Sequence, residues 1–369
     1  MNSNAPYLSV VVTSRNDDHG GNLLRRTQIF INGLLEQCRR HRLSAELIMV
    51  EWNPPADKPR LAEALSWPQG NGYCSVRIIE VPPELHRRFS HSERLPLFQM
   101  IAKNVGIRRA RGRFVLATNI DILFSDELMR FLASKRLSPR HFYRVDRYDV
   151  PSDVPNDIPI EEQLEFCRNN IIRVNDRFFE SGASEKLPWT WREWRIWPVT
   201  NATRTFVYSL IRPGPLLVRV QDRLFPNSLF RYFMIQAPVQ LHTNACGDFT
   251  LLAFDRWTAL RGHPELEVFS MHLDSLFCYI AHHSGVREKI LNDPMRIYHI
   301  EHGIGSGFTP EGEQALYSRI DSAGIARIGT DQMNELAVKM RRQGRPIMFN
   351  SENWGLAGDD LRETVVVGK

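Results

Sequence analysis

The chain has 369 residues, 43% hydrophobic and 24% charged, ordinary proportions for a soluble globular protein with one large domain or two closely packed ones. Lys and Arg number 47 against 42 Asp and Glu, a net charge of +5 with no long basic run, which suits anionic small molecules or an acidic membrane surface and excludes a nucleic-acid partner. Five cysteines without CxxC spacing exclude a zinc or disulfide framework, and no signal peptide or membrane-spanning apolar stretch is evident. The expected setting is the cytoplasm, with any membrane contact peripheral, at the inner face of the membrane, through basic and aromatic surface.

Residues 7–13 are a β-branched run that reads as a buried first strand. It breaks into Ser14-Arg15-Asn16-Asp17-Asp18-His19-Gly20-Gly21, too polar and glycine-rich for a core. Residues 22–41 follow with Leu23, Leu24, Ile29, Phe30, Leu34 and Leu35 at helical period. Residues 45–50 make a second strand, ended by Glu51 and Asn53, and residues 75–81 a third. An amphipathic helix beginning near Lys103 and Asn104 runs into a tight turn at Gly112, and residues 114–117 form a fourth strand. Strand and helix in alternation predict an α/β fold with a mostly parallel, doubly wound, twisted sheet flanked by helices.

The fourth strand ends in Asn119-Ile120-Asp121, polar groups where a buried strand surfaces. Ligands of open α/β sheets bind outside the carboxyl ends of the strands. Oxygen donors there suit a divalent cation shared with substrate phosphates. The competing reading is a turn leading into a helix capped by Ser125, with Asp126 and Glu127 in its first turn. Ser14 to Asp17, Glu51 to Asn53 and Asn119 to Asp121 would converge on one sheet edge, which is more specific than any one of them.

Between 149 and 240 the pattern changes: prolines cluster, an amphipathic helix spans 161–170, and an aromatic, basic stretch carries Trp189, Trp191, Trp194 and Trp197. This helical and aromatic insertion either covers or extends the site, or packs as a subdomain. A compact pattern resumes at 250–260, with a helix over 272–283 and an apolar strand over 295–298. Four segments are expected: 7–148, the insertion 149–240, a catalytic half at 241–310, and a helical C-terminal segment at 311–369 whose tail beyond Pro346 reads as a mobile lid.

Asp248 follows the small-residue turn at Gly247, where a ligand can approach the backbone. Asp274 reads either as a first-turn helix carboxylate or as a general base. His299 and His302, spaced i, i+3 after an apolar strand, are either hydrogen-bonded histidines or donors that complete an octahedral Mn²⁺ site with Asp121 and diphosphate oxygens. His282 and His283, inside a helix, read as structural.

Taken in order, these motifs resemble family-2-type glycosyltransferases of the GT-A fold, from about residue 8 to residue 302. The matching blocks are Lys103-Asn104-Val105-Gly106-Ile107 through Asp121, and Asn244 through Asp274. The resemblance implies a nucleotide-sugar donor, a UDP-sugar favoured, a carbohydrate or glycolipid acceptor, and Mn²⁺ or Mg²⁺. By it, Ser14, Arg15, Asn16 and Glu51 line the nucleoside pocket, and Asn104 and Asn119 lie near the ribose or sugar. Asp121 and His299 or His302 hold metal, Asp248 lies near sugar or acceptor, and Asp274 is the base of an inverting displacement, in polysaccharide or glycolipid synthesis. Two departures are plain: the usual Asp-x-Asp is Asn119-Ile120-Asp121, and the usual Glu-Asp pair is Leu273-Asp274. They motivate the alternative of a degenerate carbohydrate-binding scaffold. A sugar nucleotidyltransferase is disfavoured by the acidic loop after the first strand, which would repel a triphosphate.

Overall fold

The computed structural model describes residues 5–68, 72–174, 177–178, 235–303 and 312–368. The aromatic stretch at 189–197 lies outside them. The sequence places β1 at Leu8–Ser14, β2 at Ala45–Trp52, β3 at Cys74–Val81 and β4 at Phe114–Ala117, all parallel to their neighbours in the order β4-β1-β2-β3. Every residue of β1 and β2 is buried, as a central parallel strand covered on both faces requires. Val10 and Val12 pack with Leu34 and Leu35 of α1 (Leu23–His41), whereas Val11 packs with Val105 of α4 (Gln99–Arg108). This period-two alternation divides the interior into two layers, one on each side of the sheet.

The expected α/β fold is present: a large, mostly parallel sheet flanked by helices. It is wider than the alternation predicts. β10 (Thr250–Ala253) lies antiparallel between β4 and β6 (His141–Val145), and β11 (Arg287–Leu291) adds beyond β6 in parallel. β13 (Glu363–Val367) closes the other edge, antiparallel to β3. α7 (Phe254–Leu260) and α8 (Leu273–His283) join α4 on the second face.

A second sheet, not visible in the local pattern, has the order β5-β12-β7-β8-β9. β5 is Ile122–Phe124, β12 is Ile297–Ile300 and β7 is Arg147–Val150; β8 (Arg173–Val174) and β9 (Arg177–Phe178) extend it. β12 runs antiparallel to β5 and parallel to β7, so His299 lies opposite Ile122 on one side and Asp149 on the other. Its apolar face, with Leu123, Tyr148, Tyr298 and Ile300, packs on Ile29 of α1 and on Ile160 and Leu164 of α6 (Ile160–Asn169).

The C-terminal tail is not a lid. Trp354 is buried, and Arg109 donates to the carbonyls of Gly355 at 2.6 Å and Leu356 at 2.7 Å. Arg108 holds the carbonyls of Glu352 and Trp354, and the chain then enters β13. Arginines near the end of α4 supply these donors, which polarity of the tail alone does not disclose.

α4 seats against β1 and β2 at Gly106, where a Cβ would stand 2.5 Å from Val11 Cγ1 and 3.1 Å from Val50 Cγ2. Gly106→Ala is expected to lower stability by roughly 1–3 kcal/mol through overpacking. The urea midpoint should fall, and Val11→Ala in the same chain should recover part of the loss. An unchanged midpoint would show that the helix can move off the sheet freely.

Candidate functional site

The carboxyl ends of β1, β2 and β4 reach the same edge because the three strands run parallel in register, Ser14 opposite Glu51. Beyond them the polar loops tie to one another. Arg15 donates Nε to the Asn53 carbonyl at 2.7 Å and pairs with Asp17 at 2.7 Å, and Asn16 donates to the Pro59 carbonyl at 2.9 Å. Arg15 and Asn16 thus fix the wall of this edge with donors already engaged. Ser14 Oγ is buried and makes no hydrogen bond among the described residues. Beside it Glu51 accepts from the Leu61 amide at 2.9 Å. Burial pushes the Glu51 carboxyl up to about 7, with the nearby Glu80 adding to the rise and the Leu61 amide and Arg60 opposing it.

Asp121 stands where β4 turns into β5, 6% exposed. Its Oδ2 accepts from Arg26 of α1 at 2.9 Å and faces His302 Nε2 at 3.1 Å and His299 Nε2 at 3.9 Å. Its Oδ1 is buried and has no partner among the described residues. Burial alone would raise this carboxyl; His299, the hydrogen bond from His302 and Arg26 outweigh it and hold it far below its ordinary value. One donor atom each from Asp121, His299 and His302 lies within 4.8 Å of the others, the spacing a metal ion needs.

Glycine makes the approach to His302 possible. Gly20 has φ +74° and a Cβ there would lie 2.1 Å from His302 Nδ1, while the Gly303 amide donates to the Gly20 carbonyl at 2.8 Å. Arg26 also donates to the carbonyls of His19 at 2.6 Å and Gly21 at 3.2 Å, drawing the loop after β1 down onto Asp121.

A buried charge network continues from His299. Its Nδ1 lies 2.9 Å from Asp149 Oδ1. Asp149, fully buried, also pairs with Arg173 at 2.5 Å and with Arg147 Nε at 3.0 Å. Arg147 reaches Asp248 Oδ2 at 2.8 Å, and Asn119 donates to the other oxygen of Asp248 while accepting from Gln99 at 3.0 Å. Lys103 donates to the Gly247 carbonyl at 2.7 Å. Burial pulls its ammonium down to about 8 against the attraction of Asp248, Asp274 and Asp121. Asp274, half-buried in the first turn of α8, accepts from the Ser275 amide at 2.8 Å, and its Oδ2 would lie 2.9 Å from a Cβ at Gly247.

The structure therefore brings Asp121, His299 and His302 together, sets Asn119 and Asp248 in contact, and places Asp274 against the turn that carries Asp248. Asn104, expected near the ribose or sugar, faces the interior. It is fully buried, donating to the His263 carbonyl at 2.8 Å and to Glu265 at 3.0 Å and accepting from the His263 amide at 2.8 Å. These bonds hold the left-handed turn at Arg261 and Gly262. Asn119 is engaged on both amide atoms and does not act as a second metal carboxylate.

Arg26, Arg147 and Asp149 were missed by sequence reasoning. Arg26 alone carried a signal, a charge on the buried stripe between Leu23 and Ile29. Arg147 and Asp149 lie on a four-residue strand that forms by pairing with β12 on one side and β8 on the other.

No family model and no curated protein matches the sequence. Among solved structures the chain is similar to residues 1–349 of S. aureus TarS, at 14% identity and a TM-score of 0.38 over 79% of this chain and 60% of that one. It is also similar to a mannosyltransferase, PcManGT of Pyrobaculum calidifontis, solved with GDP-Man and Mn²⁺, at 12% identity and a TM-score of 0.38 over 96% of this chain and 73% of that one. The chain thus spans about 60% of the length of that TarS structure. At such identities and TM-scores neither likeness carries function across.

Glu51 generates a pH prediction. Its carboxyl binds its proton more tightly in the folded chain than at its ordinary value of 4.5, so its contribution to stability is complete below pH 4.5 and is lost as pH rises through about 7. Glu51→Gln keeps an acceptor for the Leu61 amide without the charge. The variant should match the wild-type melting temperature at pH 4.5 and exceed it at pH 8.5, by on the order of 2 kcal/mol of stability. A difference independent of pH would contradict this.

Proposed function

We propose that this chain is a glycosyltransferase of the GT-A type, moving a sugar from a nucleotide-sugar donor to a hydroxyl acceptor with a divalent cation bound at Asp121, His299 and His302. The observation that carries the reading is the buried Oδ1 of Asp121, unpartnered among the described residues, beside two imidazoles at the edge where three parallel strands end. A carboxylate with two histidines fits Mn²⁺, which accepts nitrogen as well as oxygen, better than Mg²⁺. The resemblance of the 103–121 and 244–274 blocks to family-2 glycosyltransferases supports the same reading and favours a UDP-sugar.

In this reading Ser14 and Glu51 face the nucleoside, with Arg15 and Asn16 holding the loop that encloses it. The bound cation, when present, neutralises charge developing on the departing diphosphate. Arg26 fixes the Asp121 carboxylate through Oδ2 and leaves Oδ1 for the site. Asp248, gripped by Asn119 and Arg147, has little freedom to move, so it positions the sugar or acceptor and does not shuttle protons. Asp274 takes the acceptor proton for in-line attack, with Lys103 holding the Gly247 turn beneath it. The anomeric configuration follows as inverted. Polysaccharide or glycolipid assembly is the context the resemblance implies; among the described residues no helix is long and apolar enough to cross a membrane.

The guanidinium of Arg26 at Asp121 favours one second reading, a degenerate fold that binds carbohydrate with a built-in cation in place of the metal. A thermal-shift screen of UDP, GDP, CMP and dTDP with and without Mn²⁺ separates the two. A ligand at 100 times its Kd stabilises the fold by about 2.7 kcal/mol. One nucleotide should raise the melting temperature only with Mn²⁺, Asp121→Ala should abolish that shift, and the matching nucleotide-sugar should release nucleoside diphosphate. A shift indifferent to Mn²⁺, with no release, would support the scaffold.

A further inference from the structure

We propose that Asp149 is the positioning residue of the cation site: it accepts a hydrogen bond from Nδ1–H of His299 and so presents a bare Nε2 to the ion held by Asp121 and His302. This rests on the metal reading above and goes beyond it to a residue that touches neither ion nor substrate.

The constraint begins in the backbone. His299 and Asp149 are partners in the parallel pairing of β12 with β7, which sets their side chains on the same face. Asp149 Oδ1 lies 2.9 Å from His299 Nδ1, and the carboxylate is flanked by Arg173 Nε at 2.5 Å and Arg147 Nε at 3.0 Å. Arg173 is itself anchored to Glu301 at 2.9 Å, and Arg147 to Asp248 at 2.8 Å. A carboxylate between two guanidiniums is ionised, and an ionised carboxylate can only accept. The bond to His299 must therefore be Nδ1–H to Oδ1. In a neutral ring the other nitrogen then carries a lone pair, and Nε2 faces Asp121 Oδ2 at 3.9 Å. That gap is too long for a hydrogen bond, so Oδ2 does not hold the Nε2 lone pair, which stays available to an ion taken by Oδ1 of the same carboxylate. Carboxylates that orient metal-bound histidines this way raise the basicity of the ligand and lock its ring.

Arg147 gives Asp149 a second reach. Through it the same carboxylate steadies Asp248, so the cation side and the Asn119–Asp248 side share one anchor.

The test is Mn²⁺ binding to the full chain, read as loss of the free-ion electron paramagnetic resonance signal, for wild type, Asp121→Ala and Asp149→Asn. Asparagine keeps the size of the side chain but offers an amide that can donate to Nδ1 and so turn the ring proton to Nε2. Mn²⁺ affinity should fall about 10- to 100-fold in Asp149→Asn, while Asp121→Ala binds no ion at this site. Equal affinity in wild type and Asp149→Asn overturns the proposal and leaves the metal reading standing; no binding by wild type overturns both. Should Asp149→Asn fail to fold, the wild-type chain decides alone, through ¹⁵N spectra of labelled histidine at pH 9. A His299 ring protonated at Nδ1 with bare Nε2 supports the proposal, and a proton on Nε2 overturns it.

Discussion

The site depends on where β12 inserts. By pairing with β5 on one side and β7 on the other, this four-residue strand sets His299 between the turn that carries Asp121 and the strand that carries Asp149. The amide of Ile300 donates to the Asp121 carbonyl at 2.9 Å, so the backbone itself ties the two halves. A slip of one residue would turn His299 into the apolar layer, turn Tyr298 and Ile300 out of it, and remove a nitrogen donor from the cluster. Two sheets that share no hydrogen-bonded strand thus meet at this polar edge, while Ile122, Phe124 and Ile297 of the second pack into the apolar core of the first.

That edge concentrates buried charge. Arg26, Lys103 and Arg173 are almost wholly enclosed, together with Asp121, Asp149 and Asp248. Such pairs cost several kcal/mol of desolvation per ion and are weak devices for stability. Their value here is geometric: each carboxylate is held by at least one cation or amide, so its oxygens have fixed directions. Removing one partner would leave an uncompensated charge, typically at a cost of about 3–5 kcal/mol. The same low-dielectric setting strengthens any interaction with developing negative charge on a substrate.

Much of the large sheet was legible because its signals are local. β-branched runs such as Val10-Val11-Val12, the helical period of α1, and the abrupt polarity after Ala117 each announce an element without reference to distant chain. The loop after β1, and His299 and His302 around the end of β12, were legible as polar groups at strand ends. The second sheet was not, because β8 and β9 have two residues each and β7 has four, too short to show alternation, and β7 pairs with β12 about 150 residues away. Asn104 shows the same limit. Its motif marks the helix correctly, but the turn its side chain holds lies 159 residues away.

The central claim is that Asp121, His299 and His302 bind one ion together. Pulsed electron paramagnetic resonance of the Mn²⁺-loaded chain reads the ligands directly, since imidazole nitrogen modulates the electron-spin echo. Two histidine nitrogens should appear, with one lost in His299→Gln and the other in His302→Gln. An echo without nitrogen modulation, from an ion coordinated by oxygen alone, would contradict the account.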